Sequence, residues 1–324
     1  MKAIQFTQYG GPEVLQLVEV EKPRPTGREV LIEIKAIGVN YADTARREGR
    51  YVVPTALPFV VGAEVAGVVV EVGEKVTSVS VGTPVVTLME SGGYAEYALA
   101  DERGLIPLPQ GTDFATAVAL PLQGLSAYHI LKTTGRLQPG ETVLVHAAAG
   151  GVGLLAVQLA KLLGAGKVIA TASSQDKLEL AQSMGADLLV NYTQEGWEQQ
   201  VMEMTDGKGV DVALEMAGGD IFQRTLDCLA VFGRVVVYGV ASGQPSKMYP
   251  AGLMAKNQTV SGFFLVNMMR DPALIKSSME EMLGYLQQGA LKLTIGGVFK
   301  LEEAAEVHRL MQSRQTKGKL VLVP

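Results

Sequence analysis

Cysteine is almost missing: Cys228 is the only one in 324 residues, so no disulfide can form within the chain and a reducing compartment is expected. Its place in the helical pattern ahead of Gly233 reads as packing. Histidine is nearly as scarce. His129, His146 and His308 fall on a helix, a strand end and a surface helix, and with a single cysteine they cannot supply the tetrahedral nitrogen and sulfur ligands of a zinc site. All three read as structural. Blocks of like charge are lacking and the net charge is only −5; with no basic stripe carrying interleaved aromatics, nucleic acid is not expected as a partner. Met1 to Gly10 has no apolar core of a signal peptide, and no run approaches the roughly 18 uninterrupted apolar residues of a membrane span. A soluble, cytoplasmic protein with no membrane partner is expected.

What the chain does have is small residues in one decisive place. Val143-Leu144-Val145 is an apolar strand, His146-Ala147-Ala148-Ala149-Gly150-Gly151-Val152-Gly153 a small-residue turn, and Leu154 to Lys161 a helical pattern. Small side chains let backbone approach a pyrophosphate, and unpaired N–H groups at a helix start attract phosphate. Gly150 and Gly153 occupy the second and third glycine places of G-x-G-x-x-G, with Ala148 at the first. Alone, such a turn could merely pack helix on sheet.

Its surroundings decide otherwise. Strands are predicted near Lys167 to Thr171, Asp187 to Val190, Val212 to Glu215, Arg234 to Gly239 and Thr259 to Phe264, six with the first. Helices are predicted between them, around Leu154 to Leu163, Lys177 to Met184, Trp197 to Thr205 and Ile221 to Leu229. Gly164, Gly185, Gly207 and Gly233 fall near the helix ends. Near-continuous Val, Ile and Leu runs suit a parallel sheet buried on both faces. Residues 1 to about 121 read instead as a mostly β domain, with alternating segments Val30 to Ala36, Val65 to Val72, Pro84 to Leu88 and Tyr94 to Ala98. Asp271-Pro272 opens a helix, another spans about Leu301 to Gln312, and Lys319 to Val323 closes as a strand. The fold class is therefore α/β, a Rossmann doubly wound parallel sheet over 122–266 plus a mostly β domain made of 1–121 and 267–324. A ligand is expected in the cleft between them.

Gly38-Val39-Asn40-Tyr41-Ala42-Asp43-Thr44, Gly92 to Tyr97, Leu125-Ser126-Ala127-Tyr128 and His146 to Gly153 occur in that order. With these the chain resembles the medium-chain dehydrogenase/reductase superfamily, in its quinone oxidoreductase (zeta-crystallin-like) branch, from Met1 to Pro324. The resemblance implies a chaperonin-10-like N-terminal domain and a homodimer joined through the edges of the Rossmann sheets. Zinc relatives place a cysteine ligand at the position of Asn40 and a histidine at that of Ala63, so no metal is expected here. Without a Lewis acid the acceptor must absorb the arriving charge itself, as a quinone or an α,β-unsaturated ketone does. By resemblance, Asn40, Tyr51 and Gln123 position that acceptor and donate hydrogen bonds to it. Tyr51 is equally readable as a rim aromatic, and Asp43 as a local cap. Relatives carry a tyrosine where this chain has Ala45, which enlarges the expected pocket.

The second strand of the sheet ends Thr171-Ala172-Ser173-Ser174, without the carboxylate that would bond a ribose 2′-hydroxyl. Ser173 and Ser174 can donate to a 2′-phosphate and Lys177 can neutralise it. The resemblance adds Tyr192 and Arg314 to a clamp with Lys177, which makes NADPH the expected cofactor. It also implies Asn40 as a cofactor contact near the nicotinamide, Tyr128, Gly151 and Val152 at the ribose and pyrophosphate, Gly239 and Val240 after the fifth strand, and Phe263, Phe264 and Leu265 beside the nicotinamide. An NADPH:quinone oxidoreductase is the leading expectation. An enoyl or 2-enone reductase is the alternative on the same scaffold, and a non-catalytic NADPH-binding or RNA-binding protein is a third reading.

Overall fold

A computed structural model describes residues 1–324. In chain order the strands are β1 (Lys2–Phe6), β2 (Gln16–Glu19), β3 (Glu29–Val39), β4 (Phe59–Val60), β5 (Glu64–Val72), β6 (Pro84–Leu88), β7 (Tyr97–Asp101), β8 (Leu105–Pro107), β9 (Thr142–Val145), β10 (Lys167–Ala172), β11 (Leu188–Asn191), β12 (Val210–Glu215), β13 (Leu229–Val237), β14 (Thr259–Gly262), β15 (Ile295–Lys300) and β16 (Lys319–Val323). The helices are α1 (Tyr41–Arg47), α2 (Phe114–Ala117), α3 (Pro121–His129), α4 (Gly151–Leu162), α5 (Gln175–Ser183), α6 (Trp197–Met204), α7 (Gly219–Asp227), α8 (Leu265–Met268), α9 (Pro272–Gln287) and α10 (Ala304–Gln312). These elements form two compact units, Met1–Leu122 with Leu293–Pro324, and Gln123–Lys292.

The second unit holds one six-stranded sheet in the order β11-β10-β9-β12-β13-β14, with every neighbouring pair parallel. Order reverses at β9, where a doubly wound sheet opens its crevice. Leu144, Ile169, Ala213 and Val235 come from four adjacent strands and meet Trp197, Phe222 and Leu226 from the covering helices. Cys228 lies in the same cluster, and burial pushes its thiol up to about 12, so it packs rather than reacts.

In the first unit a seven-stranded sheet runs β15-β16-β3-β5-β6-β8, with β7 on β3, beside a three-stranded β2-β1-β4. Its largest core gathers Phe6, Ile37, Val65 and Tyr94 around Leu301 and Val307. His308, expected on a surface helix, is wholly buried instead. Its ring lies between Arg47 Nη1 at 3.3 Å and the Tyr94 hydroxyl at 3.2 Å, and burial takes its pKa down to about 3. His146 is likewise buried between the Thr171 and Thr225 hydroxyls at 2.9 and 2.8 Å, with its pKa down to about 4.

Other differences from the sequence reading have local causes. The strand expected at Tyr94 begins only at Tyr97, because Gly92 (φ +90°) turns the chain, Gly93 N bonds back to Gly62 O at 3.0 Å, and Ala95 is left a single bridge to Ala3. Gly233 lies inside β13 rather than at a helix end. The preceding helix stops at Asp227, where the Cys228 carbonyl turns to accept from Val210 N at 2.8 Å. Helix α9 belongs to the second unit rather than to the returning tail, and the chain re-enters the first unit at Leu293. Glu281 of α9 accepts from the Tyr128 hydroxyl at 2.6 Å and pairs with Lys132, and Lys292 exchanges two backbone bonds with the Gln158 carboxamide. The stretch Phe114–Thr134 has the length and composition of a membrane span, although its apolar residues are interrupted; 72% of its most apolar window is buried inside the protein.

Candidate active site

Strand β9 delivers the chain to the glycine turn, where Ala147 takes the left-handed conformation at φ 49°. Gly150 N then bonds back to Ala147 O at 2.9 Å, and Ala148 N reaches Thr171 O on the neighbouring strand at 3.0 Å. Because the strained position is Ala147, residue 148 needs no glycine, which explains the alanine at the first motif place. A Cβ on Gly153 would overlap the Ala147 carbonyl, so the third glycine is sterically required. Helix α4 starts at Gly151 behind Gly150, which brings no capping side chain. The first-turn N–H groups, Val152 among them, are therefore left to a ligand or solvent.

Gln123 meets this turn. A Cβ on Gly151 would overlap the Gln123 carboxamide, so an expected acceptor-positioning residue lies directly on an expected phosphate-contact residue. The other expected residues of the second unit follow the C-terminal ends of the same strands: Ser173 and Ser174 after β10, Tyr192 after β11, Gly239 and Val240 after β13, and Phe263, Phe264 and Leu265 after β14. Tyr192 N bonds Ala172 O at 3.2 Å, which sets Tyr192 beside the two serines. Ser174 gives its hydroxyl hydrogen to Asp176, so one of the two expected donors already serves a carboxylate. Lys177 follows in the first turn of α5. Arg314 belongs to the first unit, just past α10, at φ 59°. Tyr128 lies in α3 rather than after a strand of the sheet, its hydroxyl held by Glu281 and Lys132.

Asn40 caps α1 in the first unit. Its backbone N–H donates to Asp43 Oδ2 at 2.9 Å, and the same oxygen accepts from the Tyr94 hydroxyl at 3.1 Å; Asp43 is thus the local cap its position suggests. Complete burial lifts its pKa to about 6 against these hydrogen bonds. Tyr51 lies under the Arg46 guanidinium, 4.2 Å from the ring centroid. Burial raises the Tyr51 pKa and the Arg46 charge opposes the rise.

Three carboxylates and amines escape a motif reading. Lys319 opens β16 and Glu64 opens β5, and they form an ion pair of 2.5 Å with neither side chain reaching solvent. Their sequence signal is slight, a single charge at the head of an otherwise apolar strand. Glu215 closes β12; its Oε1 accepts from Ala217 N and Gly218 N at 2.7 and 2.9 Å, while Oε2 is buried without a partner. Burial raises its pKa.

Comparison with known proteins agrees with this layout. A zinc-binding dehydrogenase family model matches residues 151–288, and the alcohol dehydrogenase GroES-like domain matches residues 26–110. A quinone oxidoreductase of Pseudomonas aeruginosa is 39% identical over 326 residues, covering 100% of this chain and 99% of that protein. The chain belongs to the quinone oxidoreductase branch of the medium-chain dehydrogenase/reductase superfamily. Two solved quinone oxidoreductases share its fold along the whole length. That of Pseudomonas syringae pv. Tomato has a TM-score of 0.93 at 38% identity, covering 100% of this chain and 99% of its own. That of Escherichia coli, solved in complex with NADPH, has a TM-score of 0.95 at 35% identity, each chain covered 100%.

Zinc, which the family description carries, does not fit the residues of this quinone oxidoreductase relative. No three His, Cys, Asp or Glu side chains converge on one point. At Asn40, the place of a ligand cysteine in the zinc relatives, the neighbour of the side-chain oxygen is the Lys319 ammonium at 2.8 Å. A second cation has no donor set there.

Proposed function

We propose that the protein is an NADPH-dependent quinone reductase that needs no metal. The observation that carries this reading is the glycine turn after β9, with its side-chain-free helix start and every expected second-unit cofactor residue except Tyr128 following the C-terminal ends of the same sheet. Gly150, Gly151 and Val152 would cradle the pyrophosphate, and Ser173, Lys177, Tyr192 and Arg314 the 2′-phosphate. When bound, NADPH supplies the hydride. Asn40, Tyr51 and Gln123 orient the reactants, and donors among them stabilise the charge that develops on the quinone oxygen. A quinone spreads that charge over its own ring, so hydrogen-bond donors suffice where a metal would serve a simple ketone.

Steady-state turnover with NADPH and NADH against benzoquinones, naphthoquinones and enones, with and without a chelator, tests the reading. Quinone reduction with NADPH preferred and chelator without effect is expected. Faster turnover of enones than of every quinone would replace it with a 2-enone reductase, and loss of activity on chelation would refute the metal-independent mechanism.

We also propose a homodimer formed through the free β14 edge of the parallel sheet. Val231 and Phe232 are 59% and 67% exposed at the start of β13, and Tyr249 and Met254 are exposed just before β14, an apolar surface that favours a protein partner. Light scattering is expected to give twice the 34.4 kDa chain mass.

A further inference from the structure

His146 follows β9, is 2% exposed, and has both ring nitrogens engaged. Thr225 gives its only hydroxyl hydrogen to Ile221 O at 2.6 Å, so the Thr225 oxygen must accept from His146 Nε2 at 2.8 Å. Burial keeps the imidazole neutral. With its one proton on Nε2, Nδ1 is left to accept from the Thr171 hydroxyl at 2.9 Å. The Trp197 indole packs edge-on to the ring, centroids 5.3 Å apart at 89°. One side chain thereby ties the end of β9 to β10 and α7, with α6 behind it.

Thr171 has a second bond to the same turn. Its carbonyl accepts from Ala148 N at 3.0 Å, so residues 146 and 148 are both anchored on Thr171, one by its side chain and one by its backbone. Between them stands Ala147 at φ 49°, a left-handed conformation that a residue with a Cβ keeps only where its neighbours impose it. The rest of the turn depends on Ala147, whose carbonyl accepts from Gly150 N at 2.9 Å, directly ahead of the first residue of α4.

We infer that His146 is a positioning residue for the nucleotide pyrophosphate. Both its nitrogens are used within the protein, and it acts through the backbone that follows it: with Thr171 and Thr225 it holds Ala147 left-handed, which aims the first N–H groups of α4 at the phosphates. The inference rests on the proposal that the glycine turn cradles the pyrophosphate. Because NADPH and NADH share that group, His146 serves both alike.

Calorimetric titration of both nucleotides, with melting temperatures alongside, tests this. Thr171→Val keeps the strand and the carbonyl that binds Ala148 N but removes the hydroxyl on Nδ1. Affinity for NADPH and for NADH is expected to fall about tenfold each, the order of one lost hydrogen bond, with their ratio unchanged. Glycine adopts a positive φ unaided, so in Ala147→Gly protein the same substitution should cost about twofold or less, measured against Ala147→Gly alone. His146→Gln, which keeps one donor and one acceptor, should bind both nucleotides more tightly than His146→Leu does.

A loss confined to NADPH would make Thr171 part of the 2′-phosphate site and overturn the inference. So would an equal loss in the Ala147 and Ala147→Gly backgrounds, which would reduce the network to packing. If His146→Leu does not fold, the Thr171→Val comparison decides alone. Gly151→Asp protein that binds both nucleotides undiminished would refute the phosphate cradle itself. Thr171→Val without effect, beside a Gly151→Asp variant that binds neither, would refute the positioning role only.

Discussion

Gly151 and Gln123 share one small volume, and substitution there separates two effects. Gly151→Ala has first to displace the Gln123 carboxamide; it is expected to lower kcat through the acceptor side with a smaller change in NADPH affinity. Gly151→Asp adds a carboxylate at a phosphate-binding helix start and should abolish binding of NADPH and NADH alike. Titration of both nucleotides checks the pair, and undiminished affinity in the aspartate variant would count against the phosphate cradle. Lys177→Ala is expected to weaken NADPH use about tenfold, roughly 1.4 kcal/mol, with NADH use nearly untouched. Asp176→Asn should act in the opposite direction, because it removes a carboxylate that holds the Ser174 hydroxyl; the ratio of kcat/KM for NADPH over NADH should rise several-fold, by the size of a like-charge contact relieved.

Titration of buried groups gives a pH signature at the same scale. His146 and His308 have folded pKa values pulled down by burial to about 4 and about 3. Their contribution is complete above the unfolded histidine pKa and is lost as pH falls toward those values. Asp43 runs the other way. Its folded pKa is raised to about 6, so its contribution is complete below the unfolded aspartate pKa and is lost as pH rises through 6. Two groups outweigh one, and stability should fall as pH drops from about 6.5 toward 4. Asp43→Asn removes the opposing term and should make that fall steeper. Melting temperatures across this range test it, and a shallower slope in the variant would contradict the assignment.

Elements were legible where periodicity and capping chemistry agree. The Asp271-Pro272 pair marks the start of α9 because the aspartate accepts from Leu274 N at 3.1 Å, and Asp271→Ala is expected to cost about 1 kcal/mol by chemical denaturation. All six parallel strands overlap the segments where they are expected, and the apolar runs are clearest in the central strands β9, β10 and β12, which are buried on both faces. Illegible features depend on partners distant in sequence. Gly233 reads as a helix stop, but the stop comes from a backbone contact between residues 210 and 228. His308 sits among charged neighbours in sequence, and only the fold reveals Arg47 and Tyr94 on its two nitrogens. The glycine turn was readable as a cofactor element because its chemistry is contained in eight consecutive residues. The Lys319 and Glu64 pair was not, because 255 residues separate its members.

Across the whole molecule, the family and the two-part architecture follow from motifs in order along the chain, whereas the point of return does not. Helix α9 has an ordinary amphipathic sequence, and its allegiance to the second unit is set by Glu281 and by the backbone of Lys292. Phe232→Asp would place a charge on the exposed apolar start of β13, the strand beside the β14 edge, and is expected to shift the mass measured by light scattering toward that of one chain. A mass that stays double would put the contact elsewhere.

The tie between Lys319 and Asn40 spans 279 positions, and that distance governs when the site can exist. During synthesis Asn40 leaves the ribosome early, with β3 still lacking its β16 neighbour, and its Oδ1 has no ammonium to accept from while Gly38 and Glu64 are already made. Only after residue 319 has emerged does the ammonium arrive. A growing polypeptide therefore cannot complete the hydrogen bonds of Asn40 until almost all of these 324 residues are made.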